Sequence, residues 1–172
     1  MKNIRKRAMK GLTLIEGLLF LGIAAVVIVA AVAFYNNASN TSRLNQVKTQ
    51  VSAIGAGIQS LYATQASYAT ADTDMVINAG IAPSNTIANN EIRNPWGGLI
   101  TITGSNRYFD IVLDEIPQQS CVNLLSSGML QEGAVIRIRV NDATNFDADP
   151  NPADALTACS DPDVNSIAFR FR

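Results

Sequence analysis

No proline stands before Pro83, and the first part of that stretch is almost free of charge. Residues 12–35 are Leu, Ile, Val, Ala, Gly and Phe around Thr13 and Glu16, closing on Tyr35. At about 1.5 Å per residue a helix here is roughly 36 Å long, enough to cross a bilayer. The pattern then changes without a break. Leu44, Val47, Val51, Ile54, Ile58 and Leu61 recur at steps of three and four, a single apolar stripe. The opposite face carries Asn, Thr, Ser, Gln, Arg43 and Lys48. The spacing predicts one helix over residues 12–62, roughly 75 Å if straight. Its first half is apolar all round and its second half has one sticky face. Only about three heptads are present and strand patterns follow, so the stripe reads as a face that docks a sheet rather than as a free coiled coil. Gly17 and Gly22 are weak points in the span, while Gly55 and Gly57 permit close backbone approach or a bend.

Charge is placed unevenly. Between Lys10 and Arg43 the only charged side chain is Glu16. A carboxylate at the bilayer centre costs on the order of 2.5–3.5 kcal/mol on insertion scales, so such a residue is usually functional and needs a partner. The leader holds Lys2, Arg5, Lys6, Arg7 and Lys10 and no acid. The whole chain has 13 basic and 14 acidic side chains, so removal of the leader leaves 8 against 14. A basic tag before an apolar span fixes the N-terminus in the cytoplasm and exports the rest. The acidic body argues against sequence-independent nucleic-acid binding, leaving only a local basic pair at Arg137 and Arg139. Histidine is absent, which removes Ser-His-Asp and Cys-His catalysis and the commonest zinc ligand. Cys121 and Cys159 both lie in the exported part, where a disulfide is the expected state. It would close a loop of about 38 residues and contribute roughly 4 kcal/mol by the chain-entropy account. Two independent buried thiols are the alternative. The absence of C-x-x-C spacing argues against a redox pair.

The run Lys10-Gly11-Leu12-Thr13-Leu14-Ile15-Glu16 joins a basic leader, a small residue and an apolar segment with one acid inside it. It resembles the class III signal of type IV pilins and pseudopilins. The resemblance implies that a membrane-bound prepilin peptidase removes residues 1–11, cutting between Gly11 and Leu12, and methylates the new Leu12 amine. It also implies that Glu16 meets the Leu12 amine of a neighbouring copy during assembly. There a close ion pair in a low-dielectric helix core offsets much of the desolvation each charge would suffer alone. Implied partners are further copies of the chain and an inner-membrane assembly platform with a separate ATPase. A host-cell or recipient-cell surface is the candidate outer contact. The segment Asn94-Pro95-Trp96-Gly97-Gly98 and the cysteine pair look most like the type IVb pilins of plasmid thin pili and enterobacterial adhesive pili. Simpler readings stand beside these. Glu16 lies close enough to Lys10 to snorkel to the interface, and Gly11 serves equally as a flexible linker. Ala31-Val32-Ala33 has the form of a secretory cleavage site, which would release a soluble protein beginning at Phe34.

Past the long helix, Asp72 could cap a short helix over residues 74–79, ended by Gly80. Pro83-Ser84-Asn85 and Asn89-Asn90 are turn signals. Trp96, the lone tryptophan, reads as a core or sheet-edge anchor. Strands are expected over residues 99–103, 107–113, Val135–Val140 and 167–172. A helix is expected over residues 117–130, with Pro117 in its first turn and a stop at Gly128. Residues 141–163 read as a polar, Pro- and Asp-rich loop exposed for surface contact. Asp147-Ala148-Asp149-Pro150-Asn151 is a failed calcium loop, because Pro152 occupies the glycine position and Ala158 that of the bidentate Glu.

The expected fold is α+β: a long N-terminal helix, half of it protruding, packed on a twisted antiparallel sheet, with one disulfide in the C-terminal region. Its divisions are a leader (1–11), a membrane and filament-core helix (12–35), the amphipathic half of that helix (36–62) and a head (63–172). The expected role is structural and non-enzymatic: a major pilin that sits in the inner membrane and then polymerises into an extracellular filament for adhesion, aggregation or mating. No cofactor, metal or nucleic acid is expected. A type II secretion pseudopilin, a minor pilin, or an anchored or secreted binding domain that never polymerises are the alternatives.

Overall fold

The computed structural model describes residues 13–131 and 134–172. Gly11, Leu12 and the leader therefore lie outside the described residues. The helix α1 runs unbroken over Leu14–Leu61, across the Ala31-Val32-Ala33 site. The chain divides into two compact units between Ser39 and Asn40.

Within the second unit the stripe on α1 is the docking face. Val47, Val51, Ile54 and Ile58 are fully buried and Leu44 partly so. Burying each such side chain contributes about 1.5–3 kcal/mol. Leu61, the last stripe position, is instead half exposed, because α1 ends there. Gln50 departs from the expected polar face: it is buried and its Nε2 donates to the Arg93 carbonyl at 3.1 Å. A polar partner offsets the desolvation that burial imposes. Gln59 donates in the same way to the Arg172 carbonyl at 2.8 Å. Gly55 explains how close the helix comes. A Cβ there would run into the ring of Phe171, so only hydrogen lets the backbone lie against that side chain.

The strands among the described residues form one antiparallel sheet. They are β1 (Ile87–Ala88), β2 (Glu91–Arg93), β3 (Leu99–Gly104), β4 (Phe109–Ile116), β5 (Val135–Val140), β6 (Thr144–Phe146) and β7 (Asn165–Phe171). Their order is β1-β2-β3-β4-β7-β5-β6, which puts β7 between β4 and β5. Period-two alternation sends Ile100, Ile102, Phe109, Ile111, Leu113, Ile167, Phe169 and Phe171 into the core with the α1 stripe. Phe109 and Phe171 stack with ring centroids 5.2 Å apart. The Asn89-Asn90 turn is a tight hairpin between β1 and β2, with φ of 53° and 62°, the left-handed pair that asparagine tolerates.

The β4 strand lies two to three residues later than expected and carries a bulge between Leu113 and Ile116, with Glu115 at φ 58°. The turn Asn94-Pro95-Trp96-Gly97-Gly98 is pinned against that bulge. Asn94 Nδ2 donates to the Asp114 carbonyl at 2.7 Å, and the Trp96 N–H donates to Asn94 Oδ1 at 2.8 Å. Trp96 is half-buried against the core, a sheet-edge anchor.

Two expectations need correction. The helix α3 covers only Gln118–Leu125, with Pro117 at its N-cap. The N–H of Ser126 closes it onto the Val122 and Leu124 carbonyls, before Gly128 is reached. Residues 141–163 are not a loop. They hold β6 and a helix α4 over Pro152–Ala158. Asn151 caps α4 by accepting from the N–H groups of Ala153 and Asp154, and Pro152 at the first turn lacks the N–H that would go unbonded there. The helix α2 (Thr73–Asn78) is capped as expected: Asp72 Oδ1 accepts from the Met75 N–H at 2.7 Å.

Candidate assembly interface

The large apolar side chains of residues 14–35 are each more than half exposed, Leu14 at 82 % and Phe34 at 77 % among them. The part of α1 in the first unit thus presents apolar surface all round, as a helix does when its solvent is lipid or other helices. It is long and apolar enough to cross a membrane.

Glu16 is the one acid of this surface, and its carboxylate has a local partner that the sequence reading passed over. Glu16 Oε2 accepts from the Thr13 N–H and from Thr13 Oγ1, both at 2.8 Å. The Glu16 N–H donates to Thr13 Oγ1 at 3.4 Å. Since α1 starts at Leu14, Thr13 is the N-cap and Glu16 the third helical residue. This is a capping box, in which two otherwise unbonded N–H groups are satisfied reciprocally. The T-x-x-E spacing was its signal. The box holds Glu16 at the very start of the helix, with its carboxylate turned back toward the N-terminal side. The expected pairing site, the Leu12 amine, lies outside the described residues.

The head carries the other expected pair. Cys121 in α3 and Cys159 at the end of α4 are joined, with Cα atoms 6.0 Å apart. The bond therefore links two helices rather than a helix and a loop. Beside it lies a polar clasp that nothing in the sequence singled out. Asn165 is fully buried. Its Nδ2 donates to the carbonyls of Ile116 and Asp161, at 3.2 and 2.7 Å. Its Oδ1 accepts from Asn141 Nδ2 at 2.9 Å. Asn141 also donates to the Ala158 carbonyl and accepts from the Ser166 N–H. Two amides thus tie β4, β7, α4 and the β5–β6 turn together. The would-be calcium loop is occupied by protein contacts: Asp147 chelates Arg137, and Asp149 Oδ1 accepts from the Leu130 N–H. Among the described residues no cluster of acids, cysteines or histidines could hold a metal ion.

Comparison with known proteins agrees with this architecture. A family model described as PilS N terminal matches residues 41–171, the span of the head and the docked half of α1. The major structural subunit of bundle-forming pilus from Escherichia coli O127:H6 (strain E2348/69 / EPEC) is 29 % identical over 187 residues, covering 98 % of this chain and 97 % of that protein. The subunit of the same description from Escherichia coli O111:H- matches equally. The type IV b pilin from Salmonella typhi superimposes with a TM-score of 0.55 at 22 % identity, covering 71 % of this chain and 97 % of that one. TcpA, a type IV pilin from Vibrio cholerae El Tor biotype, gives 0.54 at 15 % identity, covering 76 % and 99 %. These two likenesses concern the fold.

Proposed function

The chain belongs to the PilS family of type IV pilins, and from that premise we propose that it is the major structural subunit of a type IVb pilus. The observation that carries the reading is the apolar surface that α1 exposes over residues 14–35, with one carboxylate at its start. Such a surface has two favourable environments, a bilayer and a bundle of like helices. Before assembly the subunit rests in the inner membrane, its basic leader in the cytoplasm. The peptidase cuts between Gly11 and Leu12 and methylates the Leu12 amine. On assembly the helix exchanges lipid contact for helix contact, a transfer of modest net free energy, so subunits join one at a time under a separate ATPase acting through the membrane platform.

Glu16 sets register in this scheme. A correctly placed subunit pairs its carboxylate with the Leu12 amine of a neighbour, and a misplaced one leaves a charge unpaired in a low-dielectric core. The head then faces outward, available to a host-cell or recipient-cell surface for adhesion, aggregation or mating. The test is the N-terminus of the sheared extracellular fraction, by intact mass and tandem mass spectrometry. A product beginning at methylated Leu12 within purified filaments is expected. A product beginning at Phe34, or an intact Met1, overturns the reading.

A further inference from the structure

The face of the sheet away from α1 carries a charged cavity that the assembly role does not use. Thr103, Asp110, Arg170 and Arg137 stand in register across β3, β4, β7 and β5. In the next row Arg139 stands between Ala168 of β7 and Asn145 of β6. The single methyl of Ala168 leaves a gap between long side chains. The result is a cavity of about 270 Å³ walled by Asp110, Arg137, Arg139, Asp142, Asn145 and Arg170.

Its hydrogen-bonding groups are only partly used. Arg170 spends Nε and Nη2 on Asp110, both at 2.8 Å, and stacks on the Tyr108 ring at 3.8 Å. Arg137 spends the same two nitrogens on Asp147, at 2.6 and 3.3 Å. Arg139 makes no hydrogen bond among the described residues. Its Nε is ion-paired with Asp142 Oδ1 at 3.2 Å but out of line for a hydrogen bond, and is buried without a hydrogen-bond partner. The cavity therefore offers guanidinium N–H groups to an incoming acceptor. It also offers the Asp142 carboxylate and the Asn145 amide oxygen to an incoming donor.

This mixture discriminates between ligands. Guanidinium edges match a planar carboxylate. An acidic side chain of a protein would leave the acceptors facing negative charge with nothing donated to them, and inorganic phosphate has its one or two hydroxyls on the anion itself, so it brings that negative charge up against Asp142. A carboxylate carrying neighbouring hydroxyls satisfies both sets, and the volume suits one sugar residue. We propose that the cavity binds a carboxylate-bearing monosaccharide, free or as a residue of an acidic glycan, with Arg139 holding the carboxylate and Asp142 and Asn145 accepting from hydroxyls.

The experiment is saturation-transfer NMR on the processed full chain in detergent. The probes are methyl glucuronide and a methyl sialoside, with methyl glucoside as the neutral control. Saturation of ring protons is expected for at least one acidic glycoside and not for the glucoside. Arg139→Gln should weaken that binding by about tenfold or more, the effect of losing a charge-assisted hydrogen bond. Arg139→Lys, which keeps the charge without the fork, should lie between. Asn145→Ala reads the hydroxyl side independently and should also weaken binding, without loss of thermal stability. Equal transfer to the glucoside, no transfer to either acid, or indifference to both Arg139→Gln and Asn145→Ala overturns the proposal. Displacement by an equal concentration of acetate also overturns it, pointing instead to a clip for an acidic side chain of a neighbouring subunit.

Discussion

Glu16 joins two tasks in one side chain, and single substitutions can separate them. Its carboxylate caps α1 through Thr13, and in the proposed filament its charge meets a neighbour's amine. Glutamine also serves in a capping box, so Glu16→Gln keeps the cap and removes the charge. We expect this variant to be processed and retained in the membrane but to yield no filaments by electron microscopy of the sheared fraction. Thr13→Val removes the cap hydroxyl and keeps the charge, and should still assemble. Normal filaments from Glu16→Gln would mean that the cap alone suffices. Asn165 makes a second residue-scale point. Its replacement by alanine takes a partner from the Ile116 and Asp161 carbonyls and from one N–H of the Asn141 amide, at about 1–3 kcal/mol for each buried group left unpaired. Urea denaturation of Asn165→Ala should show a loss of at least about 2 kcal/mol. Glu16 announced itself in the sequence because no other charge surrounds it. Asn165 did not, since one buried amide among many asparagines has no pattern of its own.

At the scale of elements, legibility followed length and period. The helix α1 was readable because nothing interrupts it and its stripe keeps one spacing from Leu44 to Ile58. The helix α4 was missed because the Pro- and Asp-rich composition of residues 141–163 read as a loop. Asn151, Pro152 and Asp154 together are instead a helix start. The strand β6 has three residues with one apolar side chain, too few for alternation to register. In β5 the adjacent apolar residues Val135 and Ile136 break strict alternation. The irregularity between Val135 and Arg137 in its pairing with β7 accounts for it, leaving Ile136 exposed. The helix–sheet joint yields its own prediction. Gly55→Val places branched carbons where the Phe171 ring lies, and overpacking of this kind costs about 1–3 kcal/mol. Pairing it with Phe171→Leu should recover part of the loss, measured as shifts in the urea midpoint. Simple additivity of the two changes would show that they do not meet.

For the molecule as a whole, the head was legible as one antiparallel sheet with a helical cover, but the covalent tie was placed only approximately. The cysteines were expected to anchor a loop, and they clamp α3 to α4. Cys121→Ser with Cys159→Ser should lower the stability of the head by about 2–5 kcal/mol, read by denaturant titration under non-reducing conditions. Acid should loosen the same side of the head. The Asp161 carboxyl lies below the ordinary aspartate value because the Val164 and Asp163 N–H groups donate to it, and Asp147 does so because of Arg137. A carboxylate depressed in the folded state stabilises fully above its unfolded value and loses that contribution as the pH falls through the folded one. Stability should therefore hold above the ordinary aspartate value of 3.8 and decline below it. Asp161→Asn, which keeps an acceptor but cannot titrate, should flatten part of that decline in the urea midpoint plotted against pH.

The central position of β7 has a consequence in time. Residues 165–171 supply the strand on which β4 and β5 both lean, and Phe171 supports the joint with α1. A ribosome delivers those residues after β1 to β6, the other strands among the described residues. The sheet of the head therefore cannot close until translation has passed residue 171. A message cut short, or a frame lost late, leaves the sheet split down its middle. Closure of the sheet thus depends on its late-made strand, and a chain cut before residue 165 lacks the piece that joins β4 to β5.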